Sequence, residues 1–429
     1  MIATADAQAG QLIRDTELED SIRVYTAPLL EAVGLDGTSV EVHIINHPDI
    51  NAFVSGGKNI FIFTGLLQSA ETPNQLIGVL AHEIGHIRAG HLARTQEALR
   101  KATTQRIVAM LLGTAAAAAG QGKASTAIMS SGTHVSHRGF LQYSRNQESA
   151  ADQAAFKILE DTKQSAKGFV EFLKILKNQE SLLSASTDPY LRSHPLTLQR
   201  ISAAKRHLTA SDFTDVSDSF ELQTLHDRMK AKLMGYLQPK RALRHYRNGD
   251  PTLAAKYAQT IANFQIGNYE LALDRIDKLI FNYPTDSYFH ELRGDILLEY
   301  QDTTKSIHAY KESLELAPNA PLVMVSLAKA QLALGTPISA KEAISTLERA
   351  IHLDASDTTA WRLLSIAYGR TDDIGLASLA SAEESYLLER YEASEISARR
   401  AQKFLIDGSP SSLRAQDILD AVSHNTPRE

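Results

Sequence analysis

Apolar positions in residues 11–33 recur at near-helical spacing: Ile13, Leu18, Ile22, Tyr25, Leu29 and Leu30. That periodicity predicts a helix. The period then shortens. Residues 40–45 (VEVHII) alternate apolar and polar side chains, as a half-buried strand does. Ala52-Phe53-Val54 and residues 59–64 (NIFIFT) read as two further strands around the turn signal Ser55-Gly56-Gly57-Lys58, so a small antiparallel sheet is expected. Thr72-Pro73 then sets a capping residue before a proline at the first helical position. The helix that follows carries Leu76, Leu80, His82, Ile84, His86 and Ile87. An alanine-rich helical region comes next. Residues 120–139, with four glycines and many Ser and Thr, read as loop. Helices are expected at 146–160, 166–179 and 195–208, with 184–194 as loop.

Beyond about Arg244 the pattern becomes repetitive. Gly267-Asn268-Tyr269 and Leu271-Ala272 precede Pro284; Gly294 and Ala309-Tyr310 precede Pro318, 34 residues after Pro284. A third unit carries Ala328, Ala330, Leu334-Gly335 and Ala350, and a fourth opens with Trp361, Leu364 and Ala367-Tyr368-Gly369. A period near 34 is the tetratricopeptide length. Small residues at these positions let paired helices pack closely, and the closing proline stops the second helix of a pair. The expected layout is a disordered or processed start (1–10), a mostly helical α+β domain with a small sheet (11–210), a helical linker (211–244), an all-α tetratricopeptide-repeat solenoid (245–405) and a tail (406–429).

Composition narrows the chemistry. The chain has 429 residues, 43% hydrophobic and 22% charged, with no cysteine. Disulfides, thiolate catalysis and cysteine zinc sites are therefore excluded. A net charge of −6 argues against a general nucleic-acid binder, which would present a basic face. The longest apolar run, residues 107–120, falls short of the roughly 18–20 residues of a membrane-spanning helix. It reads as a buried or interfacial helix, with peripheral membrane contact as the other reading. The opening MIATADAQAG lacks the basic start and apolar stretch of a signal peptide, although Ala3, Ala5 and Ala7 are small residues of the kind that flank signal-peptidase sites.

The segment His82-Glu83-Ile84-Gly85-His86 carries the chemistry. On a helix, His82 and His86 lie one turn apart on one face and can ligate a single tetrahedral zinc. Glu83 can then take the proton of a water acidified by that metal. The alternative is an ordinary helix with two surface histidines. A catalytic zinc needs a third protein ligand. His91, after Gly90, has the wrong spacing for the usual short extension, so a later helix must supply it. Glu148 and Asp152 are also one turn apart. Glu148 can ligate while Asp152 accepts a hydrogen bond from the far nitrogen of a ligand histidine, and Ser149, Ala150 and Ala151 permit close helix approach. A solvated acidic face is the competing reading. His134 and His137 read as loop residues rather than ligands.

Taken together, HEIGH, the downstream ESAAD, and Arg192-Ser193-His194-Pro195 with Arg200 resemble the gluzincin peptidases of the HtpX and CAAX-prenyl-protease type. Asn51-Ala52-Phe53 and Phe63-Thr64-Gly65-Leu66-Leu67 also resemble that family, and the appended repeats are similar to its periplasmic branch. The resemblance implies a zincin-like fold, one Zn2+ held by His82, His86 and Glu148, Glu83 as general base and Asp152 behind His82. It puts His194 over the metal, either as a fourth ligand that silences the site or as a stabiliser of the oxyanion. It also implies that residues 51–54 (Asn51, Ala52, Phe53, Val54) form an edge strand beside the cleft, to which an extended substrate adds. Unfolded or misassembled envelope proteins are then the expected substrates, with protein partners docking on the repeats and a periplasmic location. A chaperone or scaffold with a latent site is the rival reading, and a cytoplasmic processing peptidase the third.

Overall fold

The computed structural model describes residues 11–37, 39–91, 145–182, 194, 196–247 and 249–425. The expected loop at 120–139, the apolar run at 107–120, His134, His137, Arg192, Ser193, Pro195 and the N-terminal decapeptide lie outside the described residues. The chain divides into two compact units between Leu233 and Met234.

In the N-terminal unit the expected first helix begins late. Leu12–Ile13 forms β1 instead, and α1 spans Thr16–Ala32. The switch is Asp15, whose extended backbone ends the strand and whose carboxylate accepts from the Leu18 amide at 3.0 Å. This satisfies a donor that the first helical turn leaves free. Three more strands follow: β2 (Glu41–Ile45), β3 (Ala52–Ser55) and β4 (Asn59–Phe63).

The sheet is mixed, where an antiparallel one was expected. Its order is β1-β2-β4-β3, and β2 and β4 run parallel. The β3–β4 hairpin turns through Gly56 and Gly57, both with positive φ, and places β3 outside β4 at the edge. The period-2 pattern fixes which face is buried: Ile44, Ala52, Ile60 and Ile62 point inward.

Helix α2 (Thr64–Ser69) leads to α3 (Pro73–Arg88), capped by Thr72, which accepts from the Gln75 amide at 3.3 Å. Helix α3 is buried from Pro73 to Gly85. It packs against α1, β3 and α5, the last spanning Lys167–Leu182. Helix α4 occupies 145–161. Helix α6 is Leu198–Ala210, begun by the cap Thr197. Helix α7 (Phe220–Leu237) contains the division between the units, and α8 is Pro239–His245, so the expected linker is largely helical.

The C-terminal unit contains five helix pairs: α9 and α10 (Leu253–Gln265, Tyr269–Asn282), α11 and α12 (Ser287–Glu299, Thr303–Leu316), α13 and α14 (Pro321–Ala333, Pro337–Leu353), α15 and α16 (Thr358–Arg370, Ile374–Leu387), α17 and α18 (Tyr391–Phe404, Pro410–Asn425). First helices start at 253, 287, 321, 358 and 391, steps of 34, 34, 37 and 33 residues. This is a tetratricopeptide-type solenoid in which each helix packs on its chain neighbours. Asp and Thr side chains cap the helices repeatedly, at Thr252, Asp286, Asp302, Thr336, Asp357 and Asp373. The last pair extends past 405, so a helix stands where a tail was expected. Among the described residues, no helix is long and apolar enough to cross a membrane.

Candidate metal centre

Helix α3 presents His82, Glu83 and His86 from a buried segment. Burying these polar groups is costly unless partners meet them, and α4 brings the partners. Gly85 permits the approach: a Cβ there would lie 2.9 Å from the Ala151 carbonyl oxygen and 3.1 Å from the Ala154 Cβ. With the two helices this close, Glu148 and Asp152 face the histidines from successive turns of α4.

Four donors converge. His82, His86, Glu148 and His194 each offer one atom, all within 4.8 Å of one another. His82 Nε2 lies 3.1 Å from His86 Nε2, 3.3 Å from His194 Nδ1 and 3.4 Å from Glu148 Oε2. Glu148 Oε1 is 3.3 Å from His86 Nε2, and its Oε2 is 3.1 Å from His194 Nδ1. Ligand distances of about 2.0–2.1 Å around a tetrahedral ion give donor–donor edges of about 3.3–3.4 Å. The observed spacings match such an edge, so the residues fit a single small divalent cation with nitrogen and oxygen ligands.

The field at this point favours a cation. Burial opposes charge on His82, but Asp152 and Glu148 outweigh it and lift the imidazole to about 9. Burial likewise opposes charge on Glu148, yet the neighbouring histidines hold its carboxyl far below the usual carboxylate range. Asp152 is lowered too, with burial overcome by His82 and Arg200. For His86 burial prevails, and its pKa falls.

A second layer surrounds the donors. His82 Nδ1 lies 3.0 Å from Asp152 Oδ1, the contact expected of a ligand histidine's far nitrogen. Asp152 in turn accepts from Arg200 through Nε at 2.7 Å and Nη2 at 2.9 Å. Arg200 Nη1 reaches Glu148 Oε2 at 2.9 Å and the His194 carbonyl oxygen at 3.5 Å. Arg200 thus ties the start of α6, and His194 before it, to Glu148 and Asp152 of α4. In the sequence Arg200 stands only within a motif, with no partner indicated. Its signal is faint: an arginine one turn into a helix whose cap is Thr197. His91, set aside as a ligand on spacing, is buried beside His86, with Nδ1 3.0 Å from His86 Nδ1.

Glu83 stands apart. Its carboxylate is fully buried and, among the described residues, neither oxygen has a hydrogen-bond partner. His194 Nε2 lies 3.5 Å from Glu83 Oε1. A buried carboxylate left without donors is costly unless it serves a ligand or a reaction. The expected edge strand, residues 51–54, is shifted by one residue: β3 is Ala52–Ser55, and Asn51 just before it accepts from the Phe63 amide through its carbonyl at 2.9 Å. Ala52 is buried, while Phe53 and Val54 are half-exposed at the sheet edge.

Residues 14–208 match the model of peptidase family M48. The chain is 25% identical over 387 residues to the beta-barrel assembly-enhancing protease of Yersinia pestis, covering 89% of this chain and 78% of that protein. The corresponding Escherichia coli K12 protein is also 25% identical, over 388 residues, 89% of this chain and 77% of that one. The mitochondrial metalloendopeptidase OMA1 of Saccharomyces cerevisiae is 27% identical over 206 residues, 45% of this chain and 54% of its own length. The family match encloses all four donors, and the repeats lie beyond it.

Proposed function

We propose that this chain, whose residues 14–208 belong to metallopeptidase family M48, is a zinc-dependent endopeptidase of the gluzincin type that acts on misfolded or stalled outer-membrane proteins in the periplasm. The observation that carries the reading is the four-donor cluster with tetrahedral spacing beside the unpartnered Glu83 carboxylate. His82, His86 and Glu148 are read as the ligands. Bound there, zinc would supply the Lewis acidity that polarises a peptide carbonyl and acidifies water. Glu83 takes the proton from the attacking water and passes it to the leaving amine. Asp152 holds His82 in the tautomer whose Nε2 faces the cluster. The edge of β3 offers main-chain groups to an extended substrate, which gives weak sequence preference. The substrate class is suggested by the name of the bacterial relatives, and the repeats serve as a surface for protein partners.

His194 is read as the gate. Its Nδ1 sits among the donors and its Nε2 faces Glu83. In that position it fills the place that a catalytic metal keeps open and covers the general base. Movement of His194 would free both. This geometry also favours a second reading, a scaffold or chaperone in outer-membrane assembly whose peptidase site stays latent.

The test is cleavage of unfolded casein by the purified protein with and without a chelator. Chelation is expected to abolish cleavage, and His194→Ala to raise it. Cleavage that survives chelation, or its absence from both wild type and His194→Ala, would overturn the peptidase reading. In a deletion strain, full rescue of envelope defects by Glu83→Gln would select the scaffold reading instead.

A further inference from the structure

We infer that His91 is a positioning residue of the metal centre, accepting a hydrogen bond from the outward nitrogen of His86 and so fixing that ring. The inference rests on reading His86 as a ligand.

The local fold makes the contact possible. His91 follows His86 by five positions, a spacing that does not stack side chains on a helix. Helix α3 ends at Arg88, and Gly90 adopts φ +63°. That left-handed residue is the common way to reverse a chain at a helix end, and here it turns His91 back under His86. The two rings meet edge to face, centroids 4.9 Å apart and planes at 74°. Their Nδ1 atoms are 3.0 Å apart. His91 is 5% exposed. From the other side Gln147, the neighbour of Glu148, donates through Nε2 to the His91 carbonyl oxygen at 3.1 Å. His91 is thereby linked to both helices that carry the donors.

Proton bookkeeping assigns the roles. His86 points Nε2 at the donor cluster. A neutral imidazole that ligates through Nε2 carries its proton on Nδ1. That proton must be donated, and the atom facing it is His91 Nδ1. His91 therefore presents a lone pair at Nδ1 and keeps its own proton on Nε2. It is not a fifth donor, because its Nδ1 faces the side of His86 opposite the cluster. The two ligand histidines of α3 consequently have unlike supports. His82 leans on a carboxylate, Asp152, and His86 on an imidazole. A carboxylate raises the basicity of its ligand more than a neutral acceptor does, so His91 orients His86 without adding negative charge to the site.

The test compares His91→Phe, which keeps a ring but removes the acceptor, with His91→Asn, which restores an acceptor. The readouts are metal affinity in competition with a chromophoric chelator and the visible spectrum of the cobalt(II)-loaded protein. His91→Phe is expected to weaken cobalt and zinc binding by about 10–100-fold, the usual effect of losing an outer partner of a ligand histidine, and to alter the cobalt bands. His91→Asn is expected to recover most of the affinity and the wild-type bands. Equal affinity in His91→Phe and wild type, or equal loss in both variants, would overturn the inference. If His91→Phe does not fold, the unaltered cobalt protein decides: the hyperfine-shifted Nδ1 proton of His86 is expected to exchange slowly with water, and rapid exchange would refute the bond. Failure of the wild type to take up either metal would instead strike at the metal-site reading itself.

Discussion

The two units of this chain bury different things. The N-terminal unit buries charge: His82, Glu83, Glu148, Asp152 and Arg200 are all buried, and so are Asp15, Glu17 and Lys232. They come from stretches far apart in the sequence, and most answer one another. The C-terminal unit buries small apolar surface. Ala272, Ala328, Ala343, Ala367, Ala398 and Ala401 are buried in the clusters formed between successive helices. The first unit depends on distant partners, and the second on neighbours. A unit built on buried ion pairs is fragile to the loss of one partner, because an uncompensated charge remains. A unit built on close helix packing is sensitive to volume, residue by residue.

The largest expected effect is at Arg200. Arg200→Met leaves Asp152 and Glu148 buried without their cation and is expected to cost about 3–5 kcal/mol in chemical denaturation of the chelator-treated protein. A loss under about 1 kcal/mol, the usual worth of an exposed pair, would mean that the α4 carboxylates do not depend on this arginine. Next is Asp15, whose carboxylate lies 2.8 Å from Lys232 Nζ and caps α1. Burial opposes its charge, yet Lys232 overcomes it and lowers the pKa below its ordinary value. A lowered folded pKa contributes stability above the unfolded value, which is lost as pH falls through the folded one. Asp15→Asn, which can still cap the helix, is expected to cost about 1.5–3 kcal/mol near neutral pH. The deficit should shrink on acidification below the ordinary carboxylate range. A deficit independent of pH would show that the charge is not what matters.

Two glycines sharpen the contrast in volume. Gly85→Ala pushes a methyl group against the α4 backbone and is expected to destabilise by about 1–3 kcal/mol and to weaken metal uptake as Glu148 is displaced. In the repeats, Gly369 sits near the end of α15, and a Cβ added there would meet nothing within 4 Å. Gly369→Ala is expected to stabilise by about 0.4–1 kcal/mol through the unfolded chain, read as a small rise in the melting temperature. Opposite signs at the two positions are the expected outcome.

The same difference governs what the sequence discloses. The repeats are legible because each contact lies within a period: Gly294 is required by Tyr310, whose ring a Cβ would meet at 2.6 Å, and both stand in one repeat. The last pair is not legible, because α18 lacks those signals and opens on Ser409-Pro410 after Gly408. In the other unit, helical spacing makes His82 with His86, and Glu148 with Asp152, visible as pairs. Their meeting is argued only from the need for a third ligand, against the rival of a solvated acidic face, and the inclusion of His194 comes from the family resemblance. The contacts of Arg200 span 48 residues to Asp152 and 6 to the His194 carbonyl, and no local pattern encodes the first. Spacing rightly leaves His91 out of the ligands but does not disclose its contact with His86, which the positive φ of Gly90 makes possible. The parallel pairing of β2 with β4 is likewise hidden, because strand alternation reports which face is buried and not which neighbour is beside it.

Everything proposed for the N-terminal unit depends on one zinc sitting among His82, His86, Glu148 and His194. Anomalous X-ray scattering at the zinc edge, from crystals of the unaltered protein grown without chelator, would locate it. One peak per chain is expected, bounded by those four side chains with His82 and His86 bound through Nε2. A fully occupied zinc elsewhere, or no peak among these residues in zinc-supplemented crystals, would show that the cluster is not the metal centre.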